Sequence, residues 1–154
     1  MIDRFDGPYA FLSNFFFSPI EYEGIAYPTV EHAFQAAKSL NPIERQAIAD
    51  LPTPGAAKRA GRQVTLRKDW EDVKIEVMRE CLAKKFEHPD LYAKLLETGD
   101  EKLVEGNHWH DNFWGVCSCE RSQGQGLNHL GRLLMELRSD LRIKALDELF
   151  PEIF

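Results

Sequence analysis

The chain has 154 residues, of which 44% are hydrophobic and 11% aromatic, and its 25 acidic and 19 basic side chains give a net charge of −6. This length predicts a single domain over residues 1–154, and the apolar content excludes a disordered chain. The acidic balance argues against broad nucleic-acid binding, and no apolar run approaches the roughly 20 residues needed to span a bilayer. Residues 1–6 lack the basic-then-apolar layout of a signal peptide. We therefore expect a cytoplasmic monomer without a membrane partner.

The N-terminal part of the chain is predicted to form short strands. Residues 19–22 and 25–27 alternate apolar and polar side chains on either side of Glu23-Gly24, a pair suited to a tight turn. These segments therefore predict a β-hairpin.

Beyond Pro28 the pattern becomes helical. Helices are predicted at Val30 to Leu40, at Pro42 to about Ala49, from Pro54, from Trp70, from Pro89 to a stop at Gly99, and from about Asn128 to Ile143. The residues predicted to cap the first four of these helices are Thr29, Asn41, Thr53 and Asp69. Residues 102–126 are aromatic, polar and glycine-bearing, which favours a strand, a turn and a long loop. The predicted fold is mainly α, with a small β element near the N-terminus.

One face of the first predicted helix carries three chemically active side chains. At about 100° per residue, Gln35 lies about 40° from Glu31, and Lys38 lies about 20° away on the other side. A carboxylate, an amide and an ammonium therefore form a row. Glu31 in this position suits a base, a nucleophile or a group that stabilises a cation. The alternative is a solvated helix face with a weak Glu–Lys pair.

A second candidate acid, Asp111, lies between Trp109 and Trp114 in a glycine-flanked stretch. A tryptophan ring against a carboxyl group favours the protonated form by desolvation, and flat rings also stack on sugars and bases. Two carboxylates in different environments, Glu31 and Asp111, fit the acid and base of glycosidic bond cleavage if folding brings them together. The alternative is that Asp111 caps a turn and the tryptophans are core residues.

Four further residues, His108, His110, Cys117 and Cys119, are of types that bind zinc. The Cys-x-Cys spacing is tighter than the usual two to four intervening residues, and successive side chains on a strand need not converge. The three cysteines, which include Cys81, are also an odd number. We therefore expect no metal, but surface histidines and free thiols. A zinc-stabilised interaction protein is the alternative.

Two segments have features that suit phosphate groups. The loop Gly124-Gln125-Gly126-Leu127-Asn128 precedes a helix, so its free backbone amides are candidates for a phosphate cradle. Glycine before a helix is also common in structural turns. The second segment is a basic run that consists of Arg59, Arg62, Arg67 and Lys68. These residues either bind phosphate groups or form a solvated surface.

Four blocks of the sequence together resemble the NADAR family, also called YbiA-like. They are Phe11 to Phe15, Tyr27 to Lys38, Asp111 to Gly115 and Asn128 to Arg138, and the segments Leu66 to Trp70 and Lys84 to Phe86 fit as well. The resemblance covers nearly the whole chain in the right order. It implies a compact, mainly α-helical, YbiA-like single domain that hydrolyses N-glycosidic bonds and uses no metal or organic cofactor.

The resemblance also implies roles for particular residues. The family's acidic helix residue falls on Glu31, its helix lysine on Lys38, and its Asp before the aromatic-Trp-Gly block on Asp111. The family's Trp falls on Trp114 and its Ser-Asn pair on Ser13 and Asn14. Together with the residues chosen from the sequence pattern, the substrate-binding candidates are Ser13, Asn14, Phe15, Gln35, Trp109, Trp114, Gly126 and Asn128. One stretch departs from the family pattern, because the segment from Val116 to Gln125 is longer than in many members and carries two cysteines.

The residues and the resemblance together predict an N-glycosidase without a cofactor. Its substrate is expected to be a small-molecule N-riboside, such as a ribosylaminopyrimidine phosphate of the riboflavin pathway, or an ADP-ribosylated nucleobase with ADP-ribose linked to guanine. The alternative is a non-catalytic module that binds ADP-ribose or a nucleotide.

Cleavage of the C1′–N bond leaves positive charge on the ribose, and this fact predicts what each group does. Glu31 is expected to stabilise that charge or to activate water, and Asp111 to protonate the base or hold the ribose hydroxyls. Lys38 is expected to bind phosphate or to attack an opened sugar. The heterocycle is expected to stack on aromatic rings drawn from Phe15, Trp109 and Trp114.

Overall fold

The computed structural model describes residues 1–152, which form two units. One unit comprises Met1–Ser13 together with the chain from Pro89 onward, and the other comprises Asn14–His88. Each has its own helices and its own two-stranded sheet.

The unit Asn14–His88 begins with the predicted hairpin. Strands β1 (Ile20–Tyr22) and β2 (Ile25–Tyr27) are antiparallel, with Ile20 opposite Tyr27. The two turn residues both have positive φ, 48° at Glu23 and 86° at Gly24. This is the backbone that a two-residue hairpin turn requires, and glycine adopts it without steric cost. The hairpin prediction is confirmed.

Four helices follow in this unit: α1 (Val30–Ala36), α2 (Pro42–Ala49), α3 (Pro54–Ala60) and α4 (Trp70–Lys85). The first three begin where the predicted caps lie. The side chains of Thr29, Asn41 and Thr53 accept hydrogen bonds from His32, Ile43 and Ala56 backbone amides respectively, which satisfies donors that a helix start leaves unpaired.

Two details of these helices differ from prediction. Helix α1 ends at Ala36 rather than Leu40, because the amides of Lys38 and Ser39 donate three residues back and tighten the chain into a turn. Asp69 does precede α4, but its side chain makes no cap bond. Its carboxylate pairs instead with the Arg67 guanidinium, at 2.7 Å and 3.1 Å.

Helix α1 is the centre of this unit, since all seven of its residues are buried and it packs against α2, α3 and α4. The ring of Phe34 contacts that of Trp70, with centroids 5.0 Å apart. The buried His32 ring is held between the Thr29 hydroxyl at 2.8 Å and the Leu51 carbonyl at 3.0 Å, and burial lowers the pKa of His32. Short helices such as α1 depend on this packing, because isolated helices of their length are unstable in water.

The other unit starts with a 3₁₀ helix, Gly7–Leu12, where strands were predicted. It continues with α5 (Pro89–Glu97), β3 (Gly106–Asn107), β4 (Val116–Cys117) and α6 (His129–Leu149). Strands β3 and β4 pair in parallel, Ile2 bridges to Leu103, and α5 packs on α6. Helix α6 runs beyond the predicted end at Ile143.

The fold-class prediction is confirmed, because helices dominate the described chain and the predicted β element near the N-terminus is present. Within residues 1–152, no helix is long and apolar enough to cross a membrane.

Lys85 at the end of α4 is fully buried, with its ammonium nitrogen 5.3 Å from the Phe86 ring centroid and 5.8 Å from that of Phe16. Burial lowers the pKa of Lys85 to about 7. An unfolded lysine titrates near pKa 10.4, so above pH 7 the unfolded chain binds more protons than the folded one. This difference makes the folded state gain stability as the pH rises.

We expect Lys85 to contribute about 1.5 kcal/mol to the rise in the free energy of unfolding between pH 7 and pH 8.5. This contribution is measured by urea denaturation as the difference between the rise in the wild type and the rise in Lys85→Met. Above pH 8.5 the thiol of Cys81 acts in the opposite direction, because burial raises its pKa to about 12 while an unfolded thiol already ionises. Lys84→Met, at an exposed neighbouring position, should show the wild-type rise. The same rise in Lys85→Met would contradict this assignment.

Candidate active site

Glu31 lies in the first turn of α1 and is only 7% exposed. Its Oε1 accepts a hydrogen bond from Gln35 Nε2 at 2.8 Å, and its backbone amide donates to the Asn14 carbonyl at 3.1 Å. The alternative of a solvated helix face is therefore wrong. A buried carboxylate that receives an amide hydrogen bond is a strong local electrostatic element, because water does not screen it.

Lys38 follows α1 and is half-buried. Burial lowers the pKa of Lys38, the Glu31 carboxylate opposes that shift, and three neighbouring cations, Arg62, Lys58 and Lys74, lower the pKa further. The predicted basic run contributes only Arg62 to this group. Arg67 instead pairs with Asp69 and donates to the Ala37 carbonyl. Lys38 and these three cations are hereafter called the basic cluster. One of them, Lys74, also pairs with Glu71, since its Nζ donates to Glu71 Oε2 at 2.6 Å.

Two amide oxygens near Glu31 stand out. Within residues 1–152, neither Asn14 Oδ1 nor Gln35 Oε1 has a hydrogen-bond partner, although both are buried. An unpaired buried acceptor costs about 1–3 kcal/mol, so such groups are rare away from functional sites. Asn14 and Gln35 were both predicted to bind substrate, and the structure places them in contact with Glu31 through its backbone and its side chain respectively.

Gly61, at the end of α3, is a site residue that sequence reasoning missed. A Cβ atom on Gly61 would lie 1.9 Å from Gln35 Oε1, so any larger residue would displace the amide that holds Glu31. The glycine has an ordinary helical backbone, with φ −59°. Its role is therefore close approach, which the sequence pattern of α3 gives no means of predicting.

Asp111 lies in the loop between β3 and β4 and caps a turn. Its Oδ1 accepts hydrogen bonds from the backbone amides of Phe113 at 3.1 Å and Trp114 at 2.9 Å. Asn107 holds the residue in place, because its Oδ1 accepts from the Asp111 amide and its Nδ2 donates to the Asp111 carbonyl. The part of the alternative in which Asp111 caps a turn is confirmed, whereas the part in which Trp109 and Trp114 are core residues is wrong, because Trp109 is exposed and Trp114 is half-buried. Such a carboxylate acts as an acceptor, which suits binding of hydroxyls better than donation of a proton.

The predicted aromatic residues differ in exposure. Trp114 is half-buried, with its ring edge-on to Phe113 at a centroid distance of 4.9 Å. Trp109 is 51% exposed and contacts His108, and Phe15 is 44% exposed. Large exposed rings are available for stacking on a ligand.

The loop before α6 is more constrained than predicted. Amides of residues 127–130 donate to the carbonyls of Asn112, Gly115, Phe113 and Trp114, so they are not free to cradle a phosphate. Gly126 approaches Gly115 closely, since a Cβ there would lie 2.5 Å from the Gly115 carbonyl. Asn128 is buried, and its side chain joins two backbone groups, the Leu103 carbonyl at 2.9 Å and the Glu105 amide at 3.0 Å.

The site candidates are divided between the two units. Asn14, Phe15, Glu31, Gln35 and Lys38 belong to Asn14–His88, and Ser13, Trp109, Asp111, Trp114, Gly126 and Asn128 belong to the other unit. The structure brings together Asn14, Glu31 and Gln35 by direct hydrogen bonds, and Lys38 through its electrostatic interaction with Glu31. That Glu31 and Asp111 act on one substrate stays a prediction.

Comparison with known proteins decides the family. The NADAR domain model matches residues 3–142. The chain belongs to the NADAR family. Within this family it is 45% identical to the N-glycosidase YbiA of Escherichia coli, over 88% of the chain and 84% of the relative. It is 42% identical to an N-glycosidase of Nostoc punctiforme, over 88% of the chain and 87% of the relative.

A solved structure supports the same membership. The NMR structure of the Escherichia coli protein YbiA matches the chain with a TM-score of 0.81 and 42% identity, covering 96% of this chain and 90% of that one. A longer relative, a riboflavin biosynthesis protein of Vibrio vulnificus, is 36% identical over 91% of this chain, which spans 38% of that relative. As an enzyme of the NADAR family, the chain is a hydrolase that acts on N-glycosyl bonds.

Asn128 tests whether the loop before α6 is stabilised by its own hydrogen bonds or contributes to substrate binding. Asn128→Ala leaves the Glu105 amide and the Leu103 carbonyl without their partners and puts alanine at φ 52°. We expect the free energy of unfolding to fall by about 3 kcal/mol, measured by urea denaturation. Gln125→Ala, at an exposed position in the same loop, should change it little. Undiminished stability of Asn128→Ala with weakened substrate binding would contradict the structural role.

Proposed function

We propose that the chain hydrolyses the C1′–N bond of a phosphorylated N-ribosyl compound, and that Glu31 stabilises the positive charge that develops on the ribose. The observation that carries this proposal is the buried Glu31–Gln35 pair beside the basic cluster. It combines an anion for the sugar with cations for a phosphate.

The chemistry of the bond explains why a buried carboxylate is needed. Departure of the nitrogen leaves an oxocarbenium-like ribose, so the transition state is more positive at C1′ than the substrate is. A fixed anion out of contact with water stabilises such a state more than it stabilises a neutral substrate. Gln35 Nε2 occupies one lone pair of Glu31 Oε1 and orients the carboxylate. The same carboxylate is also suited to activate the attacking water.

Substrate recognition is proposed to use the unpaired amide oxygens. Asn14 Oδ1 and Gln35 Oε1 accept hydrogen bonds, and a ribose supplies hydroxyl donors. A ligand hydroxyl that donates to either oxygen would pair a buried acceptor and recover its desolvation cost on binding. The ligand would thus be selected for hydroxyl groups next to the bond that breaks.

Two roles are open to Lys38. The basic cluster supports a phosphate-binding role, because a phosphate would relieve the mutual repulsion of the four cations. The lowered pKa of Lys38 also supports attack by the neutral amine on C1′ of a ring-opened sugar, where C1′ is joined to the base as an imine. Transfer of C1′ to Lys38 Nζ releases the base as an amine, and water then hydrolyses the lysine imine to free the sugar. Substitution by arginine separates these roles, since arginine keeps the charge and cannot form the imine.

The roles proposed for Asp111 and the tryptophans come from the sequence analysis. We propose that the Asp111 carboxylate accepts ribose hydroxyl protons rather than protonating the base, since it serves as an acceptor for two amides in its own turn. Trp114, with Trp109 or Phe15, is proposed to stack on the leaving heterocycle.

The names of relatives suggest which substrate to test first. Riboflavin biosynthesis proteins of Vibrio vulnificus and Zea mays contain a segment similar to this chain, so a ribosylaminopyrimidine phosphate is the first candidate. ADP-ribose linked to guanine is the second, because it offers the same ribose–nitrogen bond and more phosphate for the basic cluster. The two are distinguished by parallel assays, one for free pyrimidine and ribose phosphate from the first compound and one for guanine and ADP-ribose from the second.

Glu31→Gln tests the central role in this proposal. It retains the shape of the side chain and removes its charge, so we expect kcat to fall by more than about 100-fold, the scale of losing one preorganised electrostatic group. The measurement is steady-state release of base. Glu76→Gln, the same change on the exposed face of α4, is the control and should keep full activity. A folded Glu31→Gln enzyme with unchanged kcat would remove Glu31 from the chemistry.

Lys38 is tested with two variants and a chemical trap. If Lys38 binds phosphate, Lys38→Arg retains activity and Lys38→Met raises KM. If Lys38 attacks the sugar, both variants lose kcat, and borohydride added during turnover links a ribose derivative covalently to the wild-type chain alone, detected by mass spectrometry. Full activity of Lys38→Met would contradict both roles.

A further inference from the structure

Outside the candidate active site, one group of side chains converges without a use in the proposed reaction. His110, Cys117 and Cys119 each direct one potential ligand atom inward, and these atoms all lie within 4.8 Å of one another. The sequence suggested a different and larger set that also contained His108. In the structure His108 is not part of this group, and its ring packs edge-on against Trp109.

We propose that His110, Cys117 and Cys119 bind one zinc ion. This inference is independent of the proposed function. It also revises our expectation of no metal, which rested on the short Cys-x-Cys spacing and on the assumption that residues along a strand do not converge.

The distances fit tetrahedral zinc coordination. His110 Nδ1 lies 3.3 Å from Cys119 Sγ and 3.8 Å from Cys117 Sγ, so one nitrogen faces both sulfurs. A tetrahedral zinc ion with nitrogen at about 2.0 Å and sulfur at about 2.3 Å holds these ligand atoms about 3.5 Å apart. The observed distances lie on either side of that value, and small side-chain rotations would bring all three atoms to the ion.

The chain around the group is built by contacts that do not involve the ligand atoms. Asn112 Oδ1 accepts from the Cys117 amide at 2.8 Å, and Asn112 Nδ2 donates to Ser122 Oγ at 2.6 Å. On the other side, Asn107 binds the Asp111 amide next to His110. Two asparagines therefore hold both arms of the loop, which brings the histidine opposite the cysteines before any ion arrives.

Further hydrogen bonds favour the thiolate forms that zinc requires. The Cys119 amide donates to Cys117 Sγ at 3.3 Å, and Ser122 Oγ lies 3.1 Å from Cys119 Sγ. Partners of this kind orient and tune metal ligands in known sites.

The ligand chemistry indicates zinc rather than a hard cation. Two sulfurs and one imidazole nitrogen suit zinc and other soft or borderline metals, whereas magnesium and calcium take oxygen ligands. Three protein ligands leave the fourth tetrahedral position for water or for the nearby Ser122 hydroxyl. Since the ion would join residue 110 to residues 117 and 119, it would brace the loop that also contains Asp111.

The test uses the full chain, purified with a reducing agent, freed of metal by chelation, and titrated with zinc against a colorimetric chelator. Cobalt(II) titration supplies a spectroscopic readout, because tetrahedral cobalt with thiolate ligands shows intense d–d bands and a sulfur-to-cobalt charge-transfer band. The variants are Cys119→Ser and His110→Ala, at positions that are not fully buried, and His108→Ala is the matched control. Circular dichroism confirms that each variant is folded.

We expect one zinc ion per chain in the wild type and in His108→Ala. Cys119→Ser and His110→Ala should bind zinc more than about 100-fold more weakly, because loss of even an indirect partner of a metal site costs 10–100-fold. Cobalt bands should disappear in Cys119→Ser, and zinc should protect Cys119 of the wild type from alkylation, since Cys81 and Cys117 are already buried. The proposal is overturned by a wild type that binds no zinc at micromolar concentration. It is equally overturned by a folded Cys119→Ser that binds zinc as tightly as His108→Ala.

Discussion

The unit Asn14–His88 depends on the complete burial of α1. A seven-residue helix has little stability of its own, so α2, α3 and α4 must cover it. That packing also removes Glu31 and Gln35 from water, and an ionised side chain is tolerated there because the Gln35 amide donates to it. The same burial that stabilises the helix therefore places the Glu31 carboxyl group in surroundings that water does not screen.

Two lysines of the unit Asn14–His88 are also removed from water, in different surroundings. Lys38 remains half-buried between an opposing carboxylate and three cations, whereas Lys85 is fully buried against aromatic rings and has a pKa of about 7. Lys38 lies in a setting where a ligand changes the balance of charge. Lys85 lies at the end of α4 beside two aromatic rings, where burial favours its neutral form.

In the other unit, asparagine side chains supply hydrogen bonds to the backbone that long strands would otherwise provide. Strands β3 and β4 have only two residues each, and the loop that joins them is held by Asn107, Asn112 and Asn128 through backbone groups. An amide side chain has donors and an acceptor, so each asparagine links two separate segments. This rigid loop positions Asp111 and also brings His110 to the cysteines.

The sequence by itself determined the features that depend on neighbours along the chain. Helix starts are marked by Thr29, Asn41 and Thr53, and the hairpin turn is marked by Glu23-Gly24. The sequence blocks around Glu31 and Asp111 indicate the NADAR family. Capping, turn geometry and motif spacing can be predicted because they are local properties of the chain. Only the tertiary structure decided that Glu31 is buried, that Gly61 confines Gln35, that Asn128 is a structural clamp, and that His110 rather than His108 meets the two cysteines. These outcomes arise from contacts between residues far apart in sequence, and such contacts depend on which surfaces pack together, a choice that no single segment encodes.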